Sequence, residues 1–146
     1  MPVLIDTNVL LRGLQPYNPS LSIAARAIDS LLQSGETMVL AVQNIIEFWV
    51  VATRPLKDNG LEMSVERAIR EIAGFKELFE ILPESAHVLP EWERLVNQYR
   101  VSGKSAHDAR LVAVMNVNRI DRILTFDAGD FTRFREIQVL DPQSLR

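Results

Sequence analysis

Four acidic residues lie far apart in the sequence, at points where short apolar runs end or helical patterns begin. They are Asp6, Glu47, Asp108 and Asp127. In a parallel α/β sheet, the residues that follow the strands meet at one edge, so these carboxylates can converge there. A carboxylate cluster without cationic partners is costly unless a divalent metal ion neutralises it. The pattern therefore predicts metal-assisted phosphoryl chemistry, with nucleic acid as the expected substrate.

Each acid also has a purely structural explanation. Asp6 directly follows an apolar strand pattern and could cap the next helix. Glu47 lies in a helical pattern that is apolar nearly all round, which predicts burial, and it could form a capping box with Asn44. Ser105 and Asp108 have the same capping-box spacing. The sequence leaves these alternatives open.

The fourth position is ambiguous because two acids follow the strand pattern at residues 122–126. Asp127 lies directly after it and could be an ordinary turn aspartate, while Asp130 lies three residues further on. We prefer Asp127 because it is nearer the strand end. The two histidines, His87 and His107, are not spaced as a metal-ligand pair.

The composition is that of an ordinary globular chain. The 146 residues include 47% hydrophobic and 24% charged residues and suffice for one domain, 1–146. There is no cysteine, which excludes disulfides and thiolate metal sites. No basic leader precedes the first apolar run and no run is long enough for a membrane helix, so we expect a cytoplasmic protein.

The net charge of −3 excludes a globally basic nucleic-acid binder. Residues 100–146 nevertheless carry 8 basic against 6 acidic side chains. A local patch is enough for phosphate contacts, although a solvated surface of mixed charge is an equal alternative. The candidates for such a basic rim are Arg100, Lys104, Arg110, Arg119, Arg122, Arg133 and Arg135.

The elements that position the acids alternate between strand and helix patterns. Strands are predicted at residues 2–5, 37–42, 80–82, 122–126 and 137–140. Helices are predicted from Ser20 or Ser22 to residue 33, at 43–53, 64–78 and 105–117, and within 84–98 with a break or a fresh start at Pro90. Loops are predicted at 16–19 and 57–60. This alternation predicts a parallel sheet with right-handed crossovers.

Taken together, these segments resemble a PIN domain of the VapC toxin type. The resemblance rests on VLIDTNVL at residues 3–10, Glu47, SAHDARLVA at 105–113 and LTFDAGDF at 124–131. It spans almost the whole chain, and the order and spacing of the motifs are more specific than any one of them.

The resemblance implies a three-layer α/β/α sandwich with a central parallel sheet of about five strands. It also implies an endoribonuclease that depends on Mg²⁺ or Mn²⁺, forms a homodimer and is inhibited by a cognate antitoxin. The acids of the family pattern correspond to Asp6, Glu47, Asp108 and Asp127. Its accessory polar positions correspond to Thr7 or Asn8 and to Thr125.

Arg110 departs from this pattern, because a number of relatives have an uncharged residue there. On a helix it is expected to point away from Asp108, or else to contact phosphate.

Two other functions remain as alternatives. Asp6-Thr7-Asn8 also resembles the start of a haloacid-dehalogenase-type phosphatase, but Asn8 replaces the second aspartate of that motif. The other alternative is a non-catalytic interaction module that kept the PIN scaffold. Neither of them explains the four acids as directly as one metal site does.

Overall fold

The strands are short and rich in apolar residues, and the side chains of the three central strands are mostly buried. The computed structural model describes residues 1–15 and 17–145, and in these residues five strands form one sheet. They are β1 (Pro2–Ile5), β2 (Thr37–Leu40), β3 (Glu80–Ile81), β4 (Arg122–Leu124) and β5 (Gln138–Leu140). All pairings are parallel, in the order β3-β2-β1-β4-β5. The prediction of a five-stranded parallel sheet is confirmed.

Helices connect the strands, as the alternating pattern predicts. They are α1 (Thr7–Arg12), α2 (Leu21–Gln33), α3 (Val42–Thr53), α4 (Val65–Leu78), α5 (Val88–Gln98) and α6 (Ser105–Val117). Across the described ranges, none of the helices is long and apolar enough to cross a membrane. The predicted loop at 16–19 lies partly outside the described residues, since Pro16 is not among them.

Both faces of the sheet are covered, because successive strand residues point to opposite sides. Leu4 of β1 packs into a core that includes residues of α5 and α6. Val3 and Ile5 pack into a second core, with residues of α1, α2, α3 and α4. Strands buried on both faces read as continuous apolar runs, which explains the sequence pattern. The predicted three-layer α/β/α sandwich is confirmed.

Several predicted boundaries differ from those observed. The second strand ends at Leu40, because Asn44 Oδ1 accepts a hydrogen bond from the Ala41 backbone N–H (2.9 Å) and α3 has already begun at Val42. Pro90 causes no break in α5, because it is the third helical residue, where the backbone N–H has no partner within the helix. A short 3₁₀ turn (Leu56–Asp58) overlaps the loop predicted at 57–60.

The order in which the strands are added to the sheet reverses between β1 and β4. The chain proceeds outward from β1 through β2 to β3, and then crosses to β4 and β5 on the other side of β1. The carboxyl ends of β1 and β4 therefore flank a topological switch point, where open α/β sheets bind their ligands. Asp6 follows β1, and Thr125 and Asp127 follow β4.

Candidate functional site

A cleft of about 430 Å³ opens at the carboxyl ends of β1 and β4. We call it the acidic cleft, after the carboxylates that line it. They are Asp6, Glu47, Asp108, Asp127 and Asp130. The structure thus brings together all four acids singled out in the sequence, and the alternative Asp130 with them.

Asp6 is buried and its carboxylate is fixed on both sides. Oδ1 accepts from the Thr7 backbone N–H (2.8 Å), and Oδ2 accepts from the Thr125 hydroxyl (2.7 Å). The predicted cap is therefore present, since Asp6 caps α1 while it faces the cleft. Burial raises the pKa of Asp6 to about 6, and the negative charges of Glu47 and Asp127 raise it as well.

Asn8 joins the two strand ends. Its Nδ2 donates to Asp127 Oδ2 (2.9 Å) and lies 3.3 Å from Asp6 Oδ2 and 3.2 Å from Thr125 Oγ1. Its Oδ1 accepts from the Phe126 backbone N–H (3.2 Å). The groups near Asn8 Nδ2 accept hydrogen bonds, whereas the group near its Oδ1 donates one. Only one orientation of the Asn8 amide satisfies both. Asn8 therefore holds Asp127 close to Asp6.

Glu47 is half-buried on α3, and both of its carboxylate oxygens are hydrogen-bonded. Oε1 accepts from Gln43 Nε2 (2.9 Å), and Oε2 accepts from the Thr7 hydroxyl (3.1 Å). The predicted capping box with Asn44 as the cap is wrong. Asn44 is the third residue of α3, and its side chain bonds the Ala41 backbone, so Glu47 lies beyond the first turn.

The expectation that α3 is buried all round is also wrong. Phe48 and Ala52 face the core and are fully buried, whereas Ile46 is 59% exposed and Val50 is 51% exposed. Ile46 and Val50 lie on the opposite side of the helix and line the acidic cleft. The cleft therefore combines an anionic floor with an apolar margin.

Asp108 lies in the first turn of α6 and is half-buried. The predicted capping box with Ser105 does not form, because Ser105 is the first helical residue and Lys104 takes the cap position without a side-chain capping bond. Burial raises the pKa of Asp108 to about 6, and the negative charges of Asp130, Asp6 and Glu47 contribute to the rise.

Asp127 and Asp130 flank the cleft differently. Both are exposed and belong to the 3₁₀ turn after β4, Asp127 as its cap residue. Asp127 is tied to Asn8, whereas Asp130 is the acid whose charge most strongly raises the pKa of Asp108. The geometry brings both into the cleft, each beside a different partner.

The carboxylate oxygens of the cleft are the ligand type that a hard divalent cation prefers, but the side chains of the described residues, as they stand, do not form a closed ligand set. Among residues 1–15 and 17–145, no Lys or Arg forms an ion pair with any of the five carboxylates. In the same part of the chain, no three His, Asp or Glu side chains stand close enough together to hold a metal ion. Burial first, and then repulsion from the neighbouring carboxylates, raises the pKa values of Asp6 and Asp108. Oxygen ligands of this kind suit Mg²⁺ or Mn²⁺ better than Zn²⁺.

The basic rim anticipated from the sequence is not the source of positive charge here, since none of its seven residues lines the cleft. Arg122 begins β4, at the other end of the strand from Asp127, and pairs with Glu36. Lys104 is exposed at the start of α6. Arg110 is held by Glu84 and Gln43.

Arg54 is the arginine that lines the acidic cleft. Its Nη2 reaches the Asn59 carbonyl at 3.3 Å, and its buried Nε has no hydrogen-bond partner. Gly60 packs so closely on Arg54 that a Cβ at position 60 would lie 2.0 Å from the Arg54 carbonyl oxygen. The stem of Arg54 is thus fixed by the following loop.

Sequence reasoning missed Arg54 and Gln43 as residues of this region. Both were detectable in principle from helical spacing. Gln43 is four residues before Glu47 and Arg54 is seven after it, which places all three on one side of α3.

Comparison with known proteins identifies the fold independently of the site. The model of the PIN domain family matches residues 3–137. Among curated proteins, no match was found.

Among solved structures, VapBC-1 from nontypeable Haemophilus influenzae is 15% identical, with a TM-score of 0.70 over 99% of this chain and 100% of the other. VapBC2 from Rickettsia felis, bound to a DNA fragment from its promoter, is 15% identical, with a TM-score of 0.69 over 97% and 98%. A toxin–antitoxin complex from Klebsiella pneumoniae is 18% identical, with a TM-score of 0.60 over 96% and 97%.

These structures have the same fold as this chain along nearly its whole length, and the family model covers all the strand ends that carry the acids. The chain therefore belongs to the PIN domain family.

Proposed function

We propose that this protein is a metal-dependent endoribonuclease and the toxin of a type II toxin–antitoxin pair. The observation that carries the proposal is the acidic cleft itself. Five carboxylates from four separate segments line it at the switch point of a PIN fold, and within the described residues no Lys or Arg forms an ion pair with them. Such a site is costly without a metal ion, and hydrolysis of a phosphodiester is the chemistry that this ion supports.

The residues proposed to hold Mg²⁺ or Mn²⁺ are Asp6, Glu47, Asp108 and Asp127, with Asp130 as the alternative fourth ligand. When bound, such an ion lowers the pKa of a coordinated water and offsets the charge that develops on the phosphate. The chain contributes a fixed orientation. Thr125 and Asn8 hold the carboxylates at the ends of β1 and β4, and Thr7 holds Glu47.

Arg54 is proposed to contact a backbone phosphate of the RNA. It lines the cleft seven residues after Glu47, about 10 Å along the helix at 1.5 Å per residue. This spacing places the Arg54 backbone beyond Glu47 on the same side of α3, where its side chain can bind a phosphate beside the cleaved one.

The partners proposed are an RNA substrate, a cognate antitoxin and a second copy of the chain, all in the cytoplasm. Structures named as VapBC and as a toxin–antitoxin complex share this fold, which supports an antitoxin for this chain as well. The exposed Ile46 and Val50 border the anionic cleft. An antitoxin segment with apolar and basic side chains would complement both features and block access to the acids.

RNA cleavage by the purified protein tests the activity. We expect cleavage of a structured RNA pool with Mg²⁺ or Mn²⁺, and none with excess EDTA. Asp6→Asn and Asp108→Asn should each abolish it while the protein stays folded, because asparagine preserves size and can still cap α1 at position 6. Asp121→Asn is the matched control, since Asp121 is an exposed acid before β4. Full cleavage by both cleft variants would refute the site.

The two alternatives give different results in the same experiment. A phosphatase would release phosphate from small phosphoesters and leave RNA intact. The amide of Asn8 argues against it, because an amide cannot replace the second aspartate of that motif as a general acid. A non-catalytic module would bind neither Mg²⁺ nor Mn²⁺ and would cleave nothing.

A further inference from the structure

Gln43 is a nearly buried amide of α3 whose hydrogen bonds run in three directions. Its Nε2 donates to Glu47 Oε1 (2.9 Å) and to the His107 carbonyl oxygen (2.8 Å). Its Oε1 accepts from Arg110 Nη1 (3.0 Å). Gln43 therefore connects a carboxylate of the acidic cleft to the first turn of α6.

The arrangement permits only one orientation of this amide. The two groups near Nε2 are acceptors, whereas the group near Oε1 is an arginine, which has only donors. A flipped amide would place its oxygen against the oxygens of Glu47 and His107 and its NH₂ against a cation. Arg110 thus determines that Gln43 presents N–H groups, and not its oxygen, to Glu47.

Arg110 is itself held from outside the cleft. Its Nη2 donates to both carboxylate oxygens of Glu84, at 3.0 and 2.9 Å, in the loop between β3 and α5. The ion pair is largely exposed, with 36% and 44% of the two side chains accessible. Exposed ion pairs contribute little to stability, so the fold is not expected to depend on this one.

The geometry points to a positioning role for the series Glu84, Arg110 and Gln43, which we call the Glu47 support. It fixes the orientation of the Glu47 carboxylate for metal binding through Oε1, the oxygen that the Thr7 hydroxyl does not contact. None of these residues is one of the four acids. Arg110 acts through Gln43, and Gln43 acts through Glu47. This role rests on the proposed function, since it needs a metal ion at Glu47.

The experiment compares Gln43→Leu, Arg110→Leu and Arg110→Lys with the wild type. Mn²⁺ affinity is measured by calorimetry in the absence of RNA, and kcat and KM are measured for one RNA substrate. Partners that orient metal ligands typically change affinity or activity by about 10–100-fold. We expect losses of about tenfold in Mn²⁺ affinity and in kcat for Gln43→Leu and smaller losses for Arg110→Leu, with little change in KM. Arg110→Lys keeps a donor and should recover part of the loss.

A double variant distinguishes this role from a general effect of charge. If Arg110 acts through Gln43, then Gln43→Leu with Arg110→Leu is no worse than Gln43→Leu alone. The control is Arg94→Leu. Arg94 lies on α5 and pairs with Glu91 of the same helix and with Glu136, which precedes β5; none of the three lines the acidic cleft. Both its Mn²⁺ affinity and its kcat should match the wild type.

Three results would overturn the inference while the proposed function stands. They are wild-type Mn²⁺ affinity and kcat in Gln43→Leu and Arg110→Leu, fully additive losses in the double variant, and an equal loss in Arg94→Leu. If Gln43→Leu fails to fold, the exposed Arg110 variants decide the matter alone. A wild-type protein that binds no Mn²⁺ and cleaves no RNA would instead refute the proposed function, and this inference with it.

Discussion

Thr125 donates its hydroxyl hydrogen to Asp6 Oδ2 over 2.7 Å, across 119 residues of sequence. The bond forms because β1 and β4 are neighbours, and the Asp6 backbone N–H also bonds the Leu124 carbonyl at 2.9 Å. Thr125 is fully buried and also accepts from the Asp127 backbone N–H (3.0 Å). One hydroxyl therefore organises both strand ends of the acidic cleft.

Replacing Thr125 with valine should lower the stability of the protein and its affinity for Mn²⁺, while the side chain keeps nearly the same volume. The change leaves Asp6 without its hydroxyl donor and the Asp127 N–H without its acceptor. A hydrogen bond to a charged group contributes about 1.5–3 kcal/mol, so a loss of this order in unfolding free energy is expected. Urea unfolding measures this loss, and calorimetry should show weaker Mn²⁺ binding. Thr125→Ser keeps the hydroxyl and should resemble the wild type, and equal losses in the two variants would disprove the role of this bond.

Asp127 and Asp130 can be ranked by replacing each with asparagine. Asp127 is held beside Asp6 through Asn8, so Asp127→Asn should lower kcat by more than about 100-fold, beyond the usual effect of an outer partner. Asp130→Asn should lower it by about tenfold or less, because Asp130 acts on Asp108 through its charge. Steady-state cleavage rates measure both, and the reverse ranking would assign the fourth ligand to Asp130.

The metal-free protein should lose stability as the pH rises from about 4 to about 6. The pKa of Asp6 is raised to about 6 in the folded state from 3.8, so the folded protein binds the proton more tightly, and its advantage is lost as that proton leaves. At 1.36 kcal/mol per pH unit, the full effect for this buried group is about 3 kcal/mol, most of it between pH 4 and 6. The pKa of Asp108 is raised as well, so this residue lowers the stability over the same direction of pH change.

Urea unfolding in EDTA at several pH values measures this dependence. Asp6→Asn removes one of the two groups whose pKa is raised, so the stability of this variant should change less over the same pH range. Saturating Mn²⁺ should abolish most of the wild-type decline. Identical pH profiles for the wild type and Asp6→Asn would contradict the raised pKa.

Arg54→Ala should raise KM for RNA and leave kcat nearly unchanged. Each phosphate contact to a single strand contributes about 0.7 to the slope of log affinity against log salt, so the salt dependence of KM should fall by about this amount. Kinetics at several salt concentrations measure it. Arg26→Ala removes an exposed arginine of α2 that does not line the cleft and serves as the control. An unchanged slope in Arg54→Ala would exclude the phosphate contact.

The sequence predicted the structure best where the residue pattern has a strong preference for one type of secondary structure. The apolar runs predict the strands and their parallel sheet, and α6 begins and ends at the predicted residues, 105 and 117. The positions of the acids after strands predict the acidic cleft, because topology brings strand ends together.

The features that sequence reasoning missed depend on tertiary contacts. The side chain of Asn44 bonds to the Ala41 backbone instead of capping a later helix start, and this bond excludes the predicted capping box at Glu47. The exposure of Ile46 and Val50 depends on which side of α3 meets the sheet. Arg110 meets Glu84 and Gln43 only because three distant segments pack together, and no local pattern encodes that contact.

The central claim is that one site for a divalent metal ion unites the carboxylates of the acidic cleft. A crystal grown with Mn²⁺ at neutral pH and measured for anomalous scattering tests it most directly. We predict a strong anomalous peak inside the cleft, coordinated by oxygens of Asp6 and Asp108, that disappears in Asp108→Asn. An empty cleft at saturating Mn²⁺, or a peak elsewhere in a protein that still cleaves RNA, would contradict the account.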